Sequence, residues 1–181
     1  YENEYYRVVL GNGGITSLYD KQLGKEVLET SKFAGGDVLE AGYTGHGAGE
    51  FVRVKELTPG DLSTVSALPA QWVIKQSGRL FTEYENRQAT KNAHIVQTIR
   101  LFHTLKRIDV DVALVDFNGT HNRQYRVAFP LKMRNQQIAY EVPMAVLEVG
   151  KDEMKRIPKG WGWEGTYTDR PEDTHPREIQ R

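Results

Sequence analysis

Apolar and polar residues alternate at every second position along most of this chain, and helical periodicity is nearly absent. The alternation is clearest where Ile108, Val110 and Val112 are separated by charged residues. Such a pattern is typical of an antiparallel strand with one packed face and one face in water. We therefore predict an all-β, twisted antiparallel sandwich. Its predicted buried positions on two adjacent strands are Ile99, Leu101, Ile108, Val110 and Val112.

Turn-forming residues separate many of the alternating segments at the short spacing expected of a β-sandwich. Asn12-Gly13-Gly14 supplies the positive-φ positions of a tight hairpin between the first two strands. The only short helical turn is predicted at residues 151–156. Besides the strand at Ile108, the predicted strands cover residues 5–10, 15–20, 38–43, 51–57, 71–76, 79–85, 94–102, 125–131 and 137–142.

Charge and cysteine content exclude several classes of function. Lys plus Arg and Asp plus Glu each number 24, so the chain lacks the basic excess expected of a nucleic-acid partner. The absence of cysteine excludes disulfides, thiolate metal sites and cysteine nucleophiles. No apolar run approaches the roughly 20 residues of a membrane helix. The composition favours a soluble protein of the bacterial cytoplasm or periplasm over a disulfide-rich secreted one, and the host compartment stays open.

The two ends of the sequence indicate a piece of a longer polypeptide. The chain begins with Tyr1 rather than Met, and it stops at Arg181 without a turn signal. We expect a single β-sandwich domain over residues 1–181, with residues 151–181 as the start of a further segment.

No catalytic or metal site can be assigned from motifs. The five histidines show no metal-binding spacing, and no serine lies in a nucleophile elbow. Two carboxylates on either side of one bond could hydrolyse a glycoside. Their spacing along the chain cannot show whether two of them lie across a cleft from each other in the fold. We expect each candidate carboxylate to be a solvated surface group. These candidates are Glu40, Glu50, Glu83, Glu85, Glu164 and Asp169.

The strongest local signal is an aromatic, glycine-rich loop at residues 159–174. Aromatic rings can stack on the C–H faces of a sugar while neighbouring charged groups bind its hydroxyls. The same rings could instead close one end of the sandwich or pack on a neighbouring domain. The candidate contact residues of this loop are Trp161, Trp163, Glu164, Tyr167, Asp169 and Arg170.

Several strings, taken together and in order, resemble the region that follows the catalytic domain in glycoside hydrolase family 38, the α-mannosidases. The strongest is Glu2-Asn3-Glu4-Tyr5-Tyr6-Arg7-Val8 followed by Gly14-Ile15-Thr16-Ser17-Leu18-Tyr19-Asp20-Lys21. Weaker matches are Thr98-Ile99-Arg100-Leu101, Arg107-Ile108-Asp109, Phe129-Pro130, Tyr140-Glu141-Val142-Pro143 and the terminal His175-Pro176-Arg177-Glu178-Ile179-Gln180. The resemblance implies a supersandwich similar to the galactose mutarotase-like fold.

The resemblance also implies what this chain does not contain. In that family the zinc ligands and the nucleophilic aspartate belong to an N-terminal α/β barrel, and nothing here resembles that barrel. The resemblance therefore implies a non-catalytic domain that is inactive alone, with zinc in the separate catalytic domain. Its expected partners are that barrel in the same polypeptide and a sugar to which a loop contributes. A free-standing carbohydrate-binding module and a purely structural β-sandwich stay open as alternatives.

Overall fold

A computed structural model describes residues 1–43, 57–133, 137–149 and 151–152. Within these ranges the chain forms β-strands and one short 3-10 turn, Val65–Ala67, and no α-helix. The strands are β1 Tyr6–Gly11, β2 Gly14–Asp20, β3 Lys25–Glu26, β4 Asp37–Tyr43, β5 Leu57–Thr64, β6 Val73–Ser77, β7 Phe81–Ala89, β8 His94–Phe102, β9 Ile108–Val115, β10 Arg123–Ala128, β11 Ala139–Val142 and β12 Ala145–Glu148.

The described strands form four sheets, and every strand pair in them is antiparallel. Their orders are β1-β2-β3, β10-β4-β5, β6-β7-β8-β9 and β11-β12. The all-β, antiparallel prediction is confirmed at this level. Among the described residues, no helix is long and apolar enough to cross a bilayer.

The described residues fall into two compact units. The first contains residues 1–43 and 57–133, and therefore β1 to β10. The second contains the β11–β12 hairpin, whose base is closed by the Val149 amide donating to the Ile138 carbonyl at 2.8 Å. The expected single domain over residues 1–181 stays a prediction.

The core of the first unit lies along one face of β8. Alternate residues of this strand are buried, as its period-2 pattern predicts. Ile99 and Leu101 pack with residues of the β1–β2 hairpin, whereas Ile95 packs with Val38 of β4 and Val65 of the 3-10 turn. The three hydrophobic residues predicted on β9 are half-buried against the same two clusters. One strand thus carries contacts to both three-stranded sheets of the unit.

The predicted hairpin is confirmed, and its glycines are required by both backbone and space. Gly13 and Gly14 have φ of 80° and 138°, which L-residues with a side chain rarely adopt. A Cβ on Gly13 would lie 2.5 Å from the Ser66 Cβ, and one on Gly14 would meet the Gly35 carbonyl oxygen. The hairpin is therefore pressed against neighbouring backbone and cannot accept larger residues without movement.

Buried amide side chains hold this hairpin to the four-stranded sheet. Gln97 donates to the carbonyls of Gly13 and Gly36, both at 2.9 Å. Asn86 donates to Gln97 at 3.2 Å and to Gln88 at 2.8 Å. Because buried polar groups are costly when unpaired, this network also fixes the position of the hairpin.

Some predicted boundaries are wrong. The strand predicted at 51–57 shares only its last residue with β5, and residues 51–56 lie outside the described range. β12 is not among the predicted strands, because its hairpin turns at Met144 with a φ of 68°, a position that the sequence does not mark with glycine. Residues 153–156 of the predicted helical turn are also outside the described range.

Candidate functional site

The aromatic loop predicted to contact a sugar or a barrel lies outside the described residues. Its role therefore stays a prediction. The candidate residues concerned are Trp161, Trp163, Glu164, Tyr167, Asp169 and Arg170.

The surface role predicted for the candidate carboxylates is wrong for Glu40 and Glu83. Their exposed fractions are only 5% and 6%. Glu83 is buried because Arg100, directly opposite on β8, donates to its Oε2 from Nε at 2.9 Å and from Nη2 at 2.6 Å. Glu85 is half-buried and pairs with Lys75 at 2.5 Å. The other three candidates, Glu50, Glu164 and Asp169, lie outside the described range.

Two of the described histidines, His94 and His103, lie close to polar groups of the fold. His103 contacts the Thr82 hydroxyl through Nε2 at 3.1 Å and the Arg79 carbonyl through Nδ1 at 3.2 Å. His94 Nδ1 lies 3.2 Å from an Asp116 carboxylate oxygen. In the ranges that the structure describes, no three His, Asp or Glu side chains come together as metal ligands.

A pocket of about 320 Å³ opens between β4, β5, β10 and the turn that follows β7. Pairing in the β10-β4-β5 sheet places Tyr125 and Ser63 on either side of Glu40. Val38, Val65 and Ile95 supply apolar wall, because they form the core cluster beneath it. The other lining residues are Gly60, Asp61, Leu62, Thr64, Ala67, Leu68, Ala89, Thr90, Lys91 and Arg123.

The polar groups of this pocket are only partly satisfied. Glu40 Oε1 accepts a short hydrogen bond from Asn92, and Arg123 Nη1 donates to Asp61 at 2.8 Å. Within the described part of the chain, Glu40 Oε2, Arg123 Nε and the Tyr125 hydroxyl are buried without a hydrogen-bond partner. Buried polar groups are usually paired, so three such atoms along one pocket indicate a place for a polar ligand or water.

The pKa shifts of two pocket residues are consistent with the burial of these polar groups. Burial raises the pKa of the Tyr125 phenol, and the nearby negative charge of Glu40 raises it further. The hydrogen bond to Asp61 raises the pKa of Arg123, which stays positively charged. The pocket therefore presents a neutral phenol between groups of opposite charge.

A second buried carboxylate lies at the start of β4. Asp37 is fully buried, and its Oδ1 accepts from the Ser66 amide at 3.1 Å. Its Oδ2 is without a hydrogen-bond partner among the described residues. Burial raises the pKa of Asp37, because the charged form is desolvated. Asp37 lies beneath the β1–β2 hairpin, where its carboxylate would lie 2.9 Å from a Cβ at Gly13, and it does not line the pocket.

Comparison with known protein families decides the family of the chain. The model of the glycosyl hydrolases family 38 C-terminal domain matches residues 1–159. The chain belongs to this family. A search of curated proteins found no match. The family 38 resemblance of the opening hairpin and of the later strings within residues 1–159 is thus confirmed.

The match has two consequences for the family 38 site predictions. It ends at residue 159, so all six candidates of the aromatic loop lie beyond the matched residues. The pocket lies entirely within the match. The zinc that the family implies does not fit the described side chains of this chain, because they provide no set of three ligands.

Proposed function

We propose that this chain is the non-catalytic β domain of an α-mannosidase-like hydrolase and supports the catalytic barrel of the same polypeptide. The family 38 C-terminal domain match over 159 of 181 residues carries the proposal. The finer fold, a galactose mutarotase-like supersandwich, belongs to the same proposal. So does the contribution of the loop at residues 159–174 to the sugar site or to the barrel contact.

The surroundings of the buried carboxylates support a non-catalytic role. Glu83 and Glu40 lie in different sheets, on β7 and β4. Arg100 donates two hydrogen bonds to Glu83, so the carboxylate of Glu83 is already engaged in an ion pair. Glycoside hydrolysis requires two carboxyl groups on either side of one bond. Glu40 shares its pocket with Asp61, but Arg123 donates to Asp61 at 2.8 Å and Asn92 donates to Glu40, so each of these carboxylates is engaged by a neighbouring side chain.

An exposed apolar stripe supports contact with the barrel. Val127, Phe129, Leu131 and Met133 occur at alternate positions at the end of β10 and just beyond it, and each is about half exposed. A row of large apolar side chains in water marks an interaction surface. Covering these side chains would contribute on the order of 1 kcal/mol each. The barrel is the proposed occupant because the matched family domain is the C-terminal part of a hydrolase.

Docking in trans tests the proposal. The 181-residue chain and the catalytic domain of its parent polypeptide should bind each other when they are produced separately. Phe129→Asp should weaken this binding by about tenfold or more, because it places a charge in the apolar stripe. Leu80→Asp is the matched control, since Leu80 is also exposed, at 69% against 53% for Phe129, but lies in the β6–β7 turn.

Two results would count against the proposal. Equal loss of binding in both variants would remove the stripe as the docking surface. Turnover of an aryl α-mannoside by the 181-residue chain alone, surviving repurification and scaling with protein concentration, would overturn the non-catalytic role.

A further inference from the structure

We propose that the pocket between β4, β5 and β10 binds a neutral polyhydroxylated small molecule, a sugar or another polyol, through Glu40, Arg123 and Tyr125. This site is separate from the aromatic loop and from the apolar stripe. The proposal holds whether or not the domain docks on a barrel.

The unpaired groups of the pocket lie close together without bonding to each other. Arg123 Nε lies 3.9 Å from Glu40 Oε1, which is too far for a hydrogen bond. Arg123 Nε can only donate, whereas Glu40 Oε2 can only accept while it is ionised. A hydroxyl group both accepts and donates, so the hydroxyls of one polyol match both kinds of atom. The Tyr125 hydroxyl offers a further donor and acceptor to a neighbouring hydroxyl.

The charged residues of the pocket balance one another. Two basic and two acidic residues line it, namely Arg123, Lys91, Glu40 and Asp61. Arg123 already pairs with Asp61 at 2.8 Å, so an anion would meet two carboxylates against the single remaining positive charge of Lys91. A calcium-like cation requires about six or more oxygen ligands. Two of the four carboxylate oxygens of Glu40 and Asp61 are already engaged by Asn92 and Arg123. Charge therefore favours a neutral ligand.

The volume and the lining of the pocket fit a small molecule with both apolar and polar groups. A volume of about 320 Å³ lies at the small end of the roughly 300–1,000 Å³ range of small-molecule sites. Val38, Val65 and Ile95 provide apolar wall beside the polar groups. Polyols present C–H groups next to hydroxyls, which matches a pocket of mixed apolar and polar lining.

The polar groups are also held in place before any ligand arrives. Asn92, which donates to Glu40, is itself fixed by the turn after β9. Its Oδ1 accepts from the Thr120 hydroxyl at 3.0 Å and from the Asn118 amide at 3.3 Å. Arg123 of β10 is held by its hydrogen bond to Asp61 of β5. Such preorganisation reduces the entropy lost on binding.

The test is a titration of the isotope-labelled 181-residue chain, followed by amide chemical shifts. The probes are D-mannose as a sugar, myo-inositol as a polyol that is not a sugar, and sodium sulfate as an anion. The expected result is saturable shifts at Ala89, Thr90 and Ile95 with one or both hydroxylated probes. A response to both indicates a general polyol site, and a response to mannose alone indicates a sugar site.

Two variants assign the response to the proposed groups. Tyr125→Phe should weaken binding by about tenfold, the effect of one hydrogen bond, without loss of folding, because its hydroxyl has no partner in the described chain. Glu40→Gln keeps an acceptor for Asn92 but replaces the free acceptor by a donor, and it should abolish the shifts. Tyr19→Phe, on β2 away from the pocket, should bind as the unmodified chain does.

Three outcomes would overturn the proposal. The first is the absence of saturable shifts with either hydroxylated probe at millimolar concentration, which would leave the pocket to water. The second is a response to sulfate alone. The third is unchanged binding in Tyr125→Phe and Glu40→Gln when both variants keep the spectrum of a folded chain.

Discussion

Arg100 on β8 directs both its Nε and its Nη2 to one carboxylate oxygen of Glu83, which lies directly opposite on β7. Glu83 is almost completely buried, whereas about a third of the Arg100 side chain is exposed. The guanidinium also lies 4.9 Å from the centre of the Phe81 ring. Removal of the arginine would therefore leave a buried carboxylate with its main counter-charge gone.

We expect Arg100→Ala to destabilise the chain by about 2 kcal/mol. This is below the roughly 3–5 kcal/mol of a fully buried pair, because Arg100 is partly exposed to solvent. Urea unfolding measures the loss. Arg107→Ala is the control, since Arg107 pairs with Asp109 at 2.6 Å from an exposed position and should cost less than about 1 kcal/mol. Equal losses in the two variants would contradict the distinction.

The hairpin glycines make a second prediction. Gly14→Ala should destabilise the chain by about 2–4 kcal/mol, because φ is positive and the new Cβ would collide with the Gly35 carbonyl. Gly78→Ala should change stability by less than about 1 kcal/mol, because nothing lies within 4 Å of the added Cβ. Thermal unfolding of both variants checks the contrast, and a tolerated Gly14→Ala would refute it.

Asp37 should make stability depend on pH. Burial raises its pKa above the ordinary value of 3.8, so the folded chain holds this proton more tightly than the unfolded chain does. The free energy of unfolding therefore increases as pH falls toward 3.8, and it decreases as pH rises through the folded pKa of Asp37. We expect Asp37→Asn to raise stability at neutral pH and to remove this part of the slope.

Urea unfolding over a series of pH values measures the Asp37 effect. The control is Asp111→Asn, because Asp111 is exposed on β9. The two variants should therefore differ most near neutral pH. An unchanged slope in Asp37→Asn would show that the buried carboxyl does not titrate as its surroundings imply.

The aromatic loop makes a fourth prediction. If it serves the parent enzyme, Trp161→Ala should leave the melting temperature of the 181-residue chain nearly unchanged and lower activity or docking in the full-length enzyme. If the ring instead caps its own sandwich, the substitution should cost several kcal/mol, as truncation of a core residue does. A large loss of melting temperature, with no sugar binding, would leave only the structural role.

Local pattern was sufficient for β8 and for the first hairpin. The predicted limits of β8 agree with His94–Phe102, because a run rich in β-branched and apolar residues is followed by a turn. The hairpin was predictable because its tight turn requires positive φ angles, and the local sequence Asn12-Gly13-Gly14 provides them. Pattern failed for β5, whose Leu57–Thr64 sequence lacks alternation and forms a strand through its pairing with β4.

The sequence by itself therefore determined the all-β class, the strands of strong alternation and, through its resemblance, the family. Only the tertiary structure decided which carboxylates are buried and which side chains share a pocket. Glu40, Asp61 and Arg123 lie far apart along the chain, and antiparallel pairing of β10, β4 and β5 brings them together. Alternation specifies which face a side chain takes but not which strand will lie beside it. Burial, charge pairing and the pocket all depend on that neighbour.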